Sequence, residues 1–202
     1  MSYICLDIGN VLLDCNFTKF FERMQEHNVS QPRVWEFMER VQPHQDLGIV
    51  SLEREMKLHF DMHDVSAAMD SWRDCLKRNE VSLGHLSSML DAGVNVALLS
   101  NMGADHHALL SNLFEGLYER CIQFISCDVG ARKPTRIYYQ SFLTTHPDFR
   151  GCVYVDDRME NLGTGNRMGF NSQHLDTSKM DAAQLGMRWA EIKHLVDPDK
   201  VW

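Results

Sequence analysis

The stretch Ile4-Cys5-Leu6-Asp7-Ile8-Gly9-Asn10-Val11-Leu12-Leu13-Asp14 sets a carboxylate at the abrupt end of a short apolar run. Tyr3 to Leu6 has the length and β-favouring composition of a buried parallel strand, and Gly9-Asn10 supplies the turn chemistry that stops it. Asp7 therefore stands at the carboxyl end of a central strand. In open α/β sheets ligands bind along that edge, which makes the acid a functional candidate. A strand-terminating Asp that bonds to the turn behind it is the competing reading.

At 202 residues the chain is long enough for one sizeable core plus an inserted subdomain and short for two full domains. A hydrophobic fraction of 44% with 24% charged residues allows a packed core, and no apolar run approaches a membrane span. The amino terminus enters a strand at once and carries Asp7 where a secretory signal needs an uninterrupted apolar region, so the expected location is the cytoplasm. A net charge of −8 without any basic run argues against nucleic acid as a partner. Anionic small molecules stay open, because a few local cations or a metal outweigh net charge inside a cleft. The six cysteines are scattered, with no C-x-x-C pair and no zinc-like His spacing, and read as reduced packing residues.

After Asp14 the period changes. Phe17, Phe20, Phe21 and Met24 share one helical face; Ser30-Gln31-Pro32 opens a second helix through Met38; Leu47-Gly48-Ile49-Val50 interrupts; Ser51 caps Leu52 to Phe60. Asp64 is placed to cap a further helix running through Met69, Trp72 and Leu76. No strand is expected here, so residues 15–85 read as an all-helical insertion between core segments 1–14 and 86–202. From Leu86 strand and helix alternate: strands over Val94 to Leu99, Gln123 to Ser126, Cys152 to Val155 and Asn171 to Leu175, with helices between, one of them opened by Pro134. This order predicts an α/β fold, a Rossmann-like parallel sheet covered by helices on both faces.

Four strand ends carry polar residues: Asp7, Ser100-Asn101, the loop leading to Lys133, and Asp156-Asp157. In a parallel sheet they fall along one edge. Asp7-Ile8-Gly9-Asn10-Val11-Leu12, Leu99-Ser100-Asn101, Lys133-Pro134 and Val155-Asp156-Asp157 together resemble, in order, the four motifs of the haloacid dehalogenase superfamily of hydrolases, dominated by phosphatases. The helical insertion directly after the first motif is similar to that superfamily's first class of cap, and Leu47 to Ser51 to the turn inside such a cap.

The resemblance implies a Mg²⁺-dependent phosphatase of small phosphorylated metabolites, sugar phosphates favoured. A carboxylate is ionised at neutral pH without a neighbouring base, so Asp7 can attack phosphorus and form an aspartyl-phosphate, provided that cations offset its repulsion of the phosphate. Mg²⁺ and Lys133 would do so, with Asp7, the Gly9 carbonyl and Asp157 as direct ligands and Asp156 as a more distant one, the two exchangeable. Ser100 and the Asn101 amide would bond the phosphoryl oxygens, and Asn161 orient the acidic loop. Most phosphatases of this superfamily carry a second Asp, an acid and base, two residues after the nucleophile; here Gly9 stands there. General acid–base help is worth typically 10²- to 10⁴-fold, so this vacancy predicts a preference for acidic leaving alcohols, such as sugar 1-phosphates and aryl phosphates.

Two other readings compete. A 2-haloacid dehalogenase also lacks the second Asp, but it needs no metal, and the Asp156-Asp157 pair would repel an anion in a metal-free site. A catalytically silent phosphate-binding protein would have no need of Asp7, Lys133 and both acids together. His106 and His107 read as helix-surface or core-edge residues without a metal-spaced partner, and His44, Gln45 and Asp46 as selectivity candidates.

Overall fold

The computed structural model describes residues 1–200. Its strands are β1 (Tyr3–Leu6), β2 (Leu13–Cys15), β3 (Leu76–Arg78), β4 (Asn95–Ser100), β5 (Ile122–Ile125), β6 (Val153–Asp156) and β7 (Asn171–His174). The helices are α1 (Thr18–Glu26), α2 (Gln31–Gln45), α3 (Leu52–Phe60), α4 (Ser66–Arg73), α5 (Glu80–Asp91), α6 (Ala104–His107), α7 (Leu110–Phe114), α8 (Ser126–Val129), α9 (Arg136–Thr145), α10 (Met159–Arg167) and α11 (Ala182–Val196).

Five strands form a parallel sheet in the order β5-β4-β1-β6-β7, so β1 is central. Side chains alternate across it. Ile4 and Leu6 join one core with Leu83, Leu86 and Met89 of α5 and Trp189 of α11, while Cys5 joins the other with Tyr139, Phe142 and Leu162 from α9 and α10. Both faces are thus covered by helices, which is why β1 and the middle of β4 read as unbroken apolar runs.

Helices α1 to α4 enclose a separate cluster that includes Phe20, Met24, Val34, Phe37, Met56, Met69 and Trp72. The chain reaches them through β2 and returns through β3, and these two strands pair antiparallel, Leu13 opposite Arg78 and Cys15 opposite Leu76. The expectation of an all-helical insertion without strands over 15–85 is therefore corrected. Leu76 lies in β3, not in α4, and α5 begins at Glu80, where the Asn79 side chain accepts a hydrogen bond from Ser82 N at 3.0 Å. Three-residue strands are too short to show a period of two. Two helix starts also shift: Val65 occupies the cap position of α4 while Asp64 bonds Ser66 N, and α9 begins at Arg136, two residues beyond Pro134. Conversely α2 continues past Met38 and through Pro43 to Gln45, then turns at Gly48, whose φ of +70° suits glycine. All six cysteines are free thiols. No described helix is long and apolar enough to cross a membrane.

Candidate active site

Parallel pairing brings three of the motifs side by side. Asp7 N donates to Val155 O at 2.9 Å, one step beyond the β1–β6 ladder, which fixes Asp7 beside the end of β6. Ser100, on the other flank, ends β4. Lys133 reaches in from the loop after α8: its backbone N donates to Asn101 Oδ1 and its carbonyl accepts from Asn101 Nδ2, each at 2.8 Å. The Asn101 side chain thus clasps the lysine's own peptide groups, a role beyond the backbone one expected of it.

The Lys133 ammonium lies 3.0 Å from Asp7 Oδ1 and 2.6 Å from Asp156 Oδ2. Burial alone would lower the lysine's affinity for its proton, but the two carboxylates outweigh burial and hold it well above its ordinary range. Asp156 is completely buried; Tyr154 OH also donates to its Oδ2, while Asn161 Nδ2 and Arg158 N donate to Oδ1, each at 2.9 Å. Burial would raise its carboxyl, and Lys133 with these donors brings it below the usual range. Asn161 thus holds Asp156 in place, as expected of it.

Asp157 differs from its neighbour. It is less buried, its Oδ2 accepts from Asn10 Nδ2 at 3.2 Å, and burial followed by repulsion from Asp156 raises its carboxyl. Asn10, at φ +51°, is able to serve it because the turn after β1 is left-handed there. For Asp7, burial dominates over the pull of Lys133, and with the charges of Asp156 and Asp157 it pushes the carboxyl up to about 7. Asp7, Asp156 and Asp157 offer oxygens that all lie within 4.8 Å of one another. Three crowded carboxylates against one ammonium fit a hard divalent cation, whose charge would offset their repulsion.

Asp7, Asp157 and Lys133 line a cavity of about 220 Å³ that also takes in Gly9, Ser100 and Asn101, with Asp156 buried behind its wall. That volume falls below the roughly 300–1,000 Å³ of sites for drug-sized ligands and suits a small metabolite. Of the three selectivity candidates, Gln45 and Asp46 line it, while exposed His44 turns away and bonds Arg40 O. Arg158 and Trp72 line it too and gave no signal in the sequence, and His106 lines it as well. His106 is nevertheless the core-edge residue expected: it stacks on Trp72 with ring centroids 4.6 Å apart and bonds Trp72 O, and burial lowers its pKa. His107 is corrected, for the fold does give it partners, Asp128 at 3.4 Å and Cys127 at 3.7 Å.

No family model and no curated relative matches the sequence. Solved structures do match. A HAD family enzyme from Bacteroides thetaiotaomicron, solved with magnesium and inorganic phosphate, superposes with a TM-score of 0.76 at 14% identity over 89% of this chain and 96% of its own. The chain has the haloacid dehalogenase fold. A HAD-like family hydrolase from Porphyromonas gingivalis gives a TM-score of 0.76 at 18% identity, covering 89% and 93% of the two chains. The L-2-haloacid dehalogenase from Xanthobacter autotrophicus, with chloropropionic acid covalently bound, gives 0.62 at 14%, covering 98% and 85%.

Proposed function

We propose that the protein is a Mg²⁺-dependent phosphatase of small phosphomonoesters, sugar phosphates favoured, that works through an aspartyl-phosphate on Asp7. The observation that carries this is the contact of a cavity-lining strand-end carboxylate with a buried lysine, next to two further acids. Asp7 is the nucleophile. Lys133 neutralises charge on both Asp7 and the incoming phosphate, and Ser100 with the Asn101 amide bonds the phosphoryl oxygens. Asp156 keeps Lys133 in position. Asp7, the Gly9 carbonyl and Asp157 would hold the metal, with Asp156 behind them. When bound, Mg²⁺ supplies positive charge to the carboxylates and phosphate, so that two anions can approach each other.

The metal and phosphate bound by the Bacteroides enzyme support this reading over a dehalogenase, and without a metal the crowded acids Asp7, Asp156 and Asp157 would repel a halocarboxylate. Residues 18–73, with a hydrophobic cluster of their own, would act as a cap over the cavity. Free thiols throughout suit a reducing cytoplasm. Phosphate release from a panel of phosphorylated metabolites tests the proposal. It should require Mg²⁺ and vanish in Asp7→Asn with the fold intact; activity indifferent to chelation, or retained by that variant, contradicts it.

A further inference from the structure

Gly9 leaves the nucleophile's own loop without an acid, and Cys15 narrows the space where one would stand: a Cβ at Gly9 would meet Cys15 Sγ at 3.2 Å. Asp46, at the end of α2, brings a carboxyl to the same cavity. Its backbone is fixed to the sheet side of the molecule. Ser126 Oγ donates to Asp46 O at 2.5 Å and accepts from Met102 N at 2.9 Å. The residue is 3% exposed, and Arg132 Nη2 forms an ion pair with its Oδ2 at 3.1 Å, without the geometry of a hydrogen bond. Oδ2 has no hydrogen-bond partner among the described residues. Neither has either amide atom of Gln45, which is also 3% exposed and is pressed so closely on Gly103 that a Cβ there would fall 2.7 Å from Gln45 Cγ. Buried polar atoms are costly to leave unbonded, so a whole amide without a hydrogen-bond partner, beside a carboxyl oxygen met by the Arg132 charge, points to a polar ligand in this cavity that completes them.

We propose that Asp46 is the acid and base that Gly9 cannot be, and that Gln45 binds a hydroxyl of the leaving alcohol. This rests on the phosphatase reading of Asp7. As Asp7 bonds to phosphorus, the P–O bond to the alcohol breaks with its electron pair on that oxygen, which takes the proton of Asp46. Water then attacks phosphorus, the bond from phosphorus to Asp7 breaks, and Asp46 takes the proton that water gives up. Inorganic phosphate leaves with both carboxyls restored. Arg132, Lys133 and Arg158 face Asp46 with positive charge and the Cys127 thiol lies close by, yet burial outweighs the cations and pushes the carboxyl up to about 6, a value suited to proton exchange near neutrality.

The test compares 4-nitrophenyl phosphate, whose phenol leaves readily, with phenyl phosphate, whose phenol needs a proton, both with Mg²⁺. Asp46→Asn should lower kcat/KM on phenyl phosphate by roughly 10²- to 10⁴-fold and on 4-nitrophenyl phosphate by less than about tenfold. In the parent enzyme, which needs no variant to fold, activity on phenyl phosphate should fall with rising pH along a limb that 4-nitrophenyl phosphate lacks. Equal losses on both esters, or parent profiles of the same shape, overturn the role of Asp46. A parent that hydrolyses neither ester in a Mg²⁺-dependent way overturns the phosphatase reading itself, and this proposal with it.

Discussion

Asp156 and Asp157 are adjacent in sequence and differently employed. Asp156 is committed to Lys133, Tyr154, Asn161 and the Arg158 amide, whereas Asp157 is held by Asn10 at its side chain and stays partly open to the cavity. Asp156→Ala should cost up to about 3–5 kcal/mol in chemical denaturation, because it leaves the buried Lys133 ammonium with Asp7 as its one remaining carboxylate partner among the described residues. Asp157→Ala should leave stability near the parent's and raise the Mg²⁺ needed for half-maximal activity instead. Asp46 has a signature in stability as well. Its carboxyl titrates near 3.8 when unfolded and at about 6 when folded. Below the lower value both states are protonated and nothing is lost; above the upper one the folded state carries a buried charge, a loss of about 3 kcal/mol. Asp46→Asn should therefore gain in melting temperature relative to the parent as pH rises from about 4 to about 7, and a difference independent of pH would count against the burial argument. Asp7 and the acid pair were legible in sequence because each ends or directly follows a strand, and Lys133 because it stands in a loop just before a proline. Arg158 and Trp72 were not, since an arginine or tryptophan near a helix end reads the same whether it faces solvent, core or cavity.

At the scale of elements, the inner strands β1, β4 and β6 of the main sheet were legible because each buries a run of three to five residues between helices. The pair β2 and β3 was not, because three residues carry no periodicity and their pairing joins positions some sixty residues apart. The C-terminal half of α2 was also hidden, since Pro43 reads as a stop, yet this half delivers Gln45 and Asp46 to the cavity. The turn that follows is tightly constrained. A Cβ at Gly48 would lie 2.9 Å from Cys127 O, and its φ of +70° is strained for any other residue. Gly48→Ala should destabilise the protein by at least about 1–2 kcal/mol. It should also lower kcat/KM, since it pushes the end of α2 away from α8; a neutral effect on both would show that this contact is slack.

At the scale of the molecule, alternation of strand and helix was enough to foresee a parallel sheet with its chemistry along one edge. What it did not supply was the boundary of the insertion. Residues 80–85 belong to α5, which packs its Leu83, Leu86 and Met89 into the core on one face of the sheet, and the helices' own cluster ends at Trp72. The two cores meet around the cavity, so Asp7 comes to it from the sheet and Asp46 from the helices. The central claim is that Asp7 itself carries the phosphoryl group between ester and water. Acid quenching during the first turnovers with 4-nitrophenyl phosphate and Mg²⁺, followed by peptide mapping by mass spectrometry, measures this directly. The account predicts a phosphoryl group on the peptide containing Asp7, absent from Asp7→Asn; full turnover by the parent with no phosphoryl group there at any time, and a near-parent rate in Asp7→Asn, would contradict it.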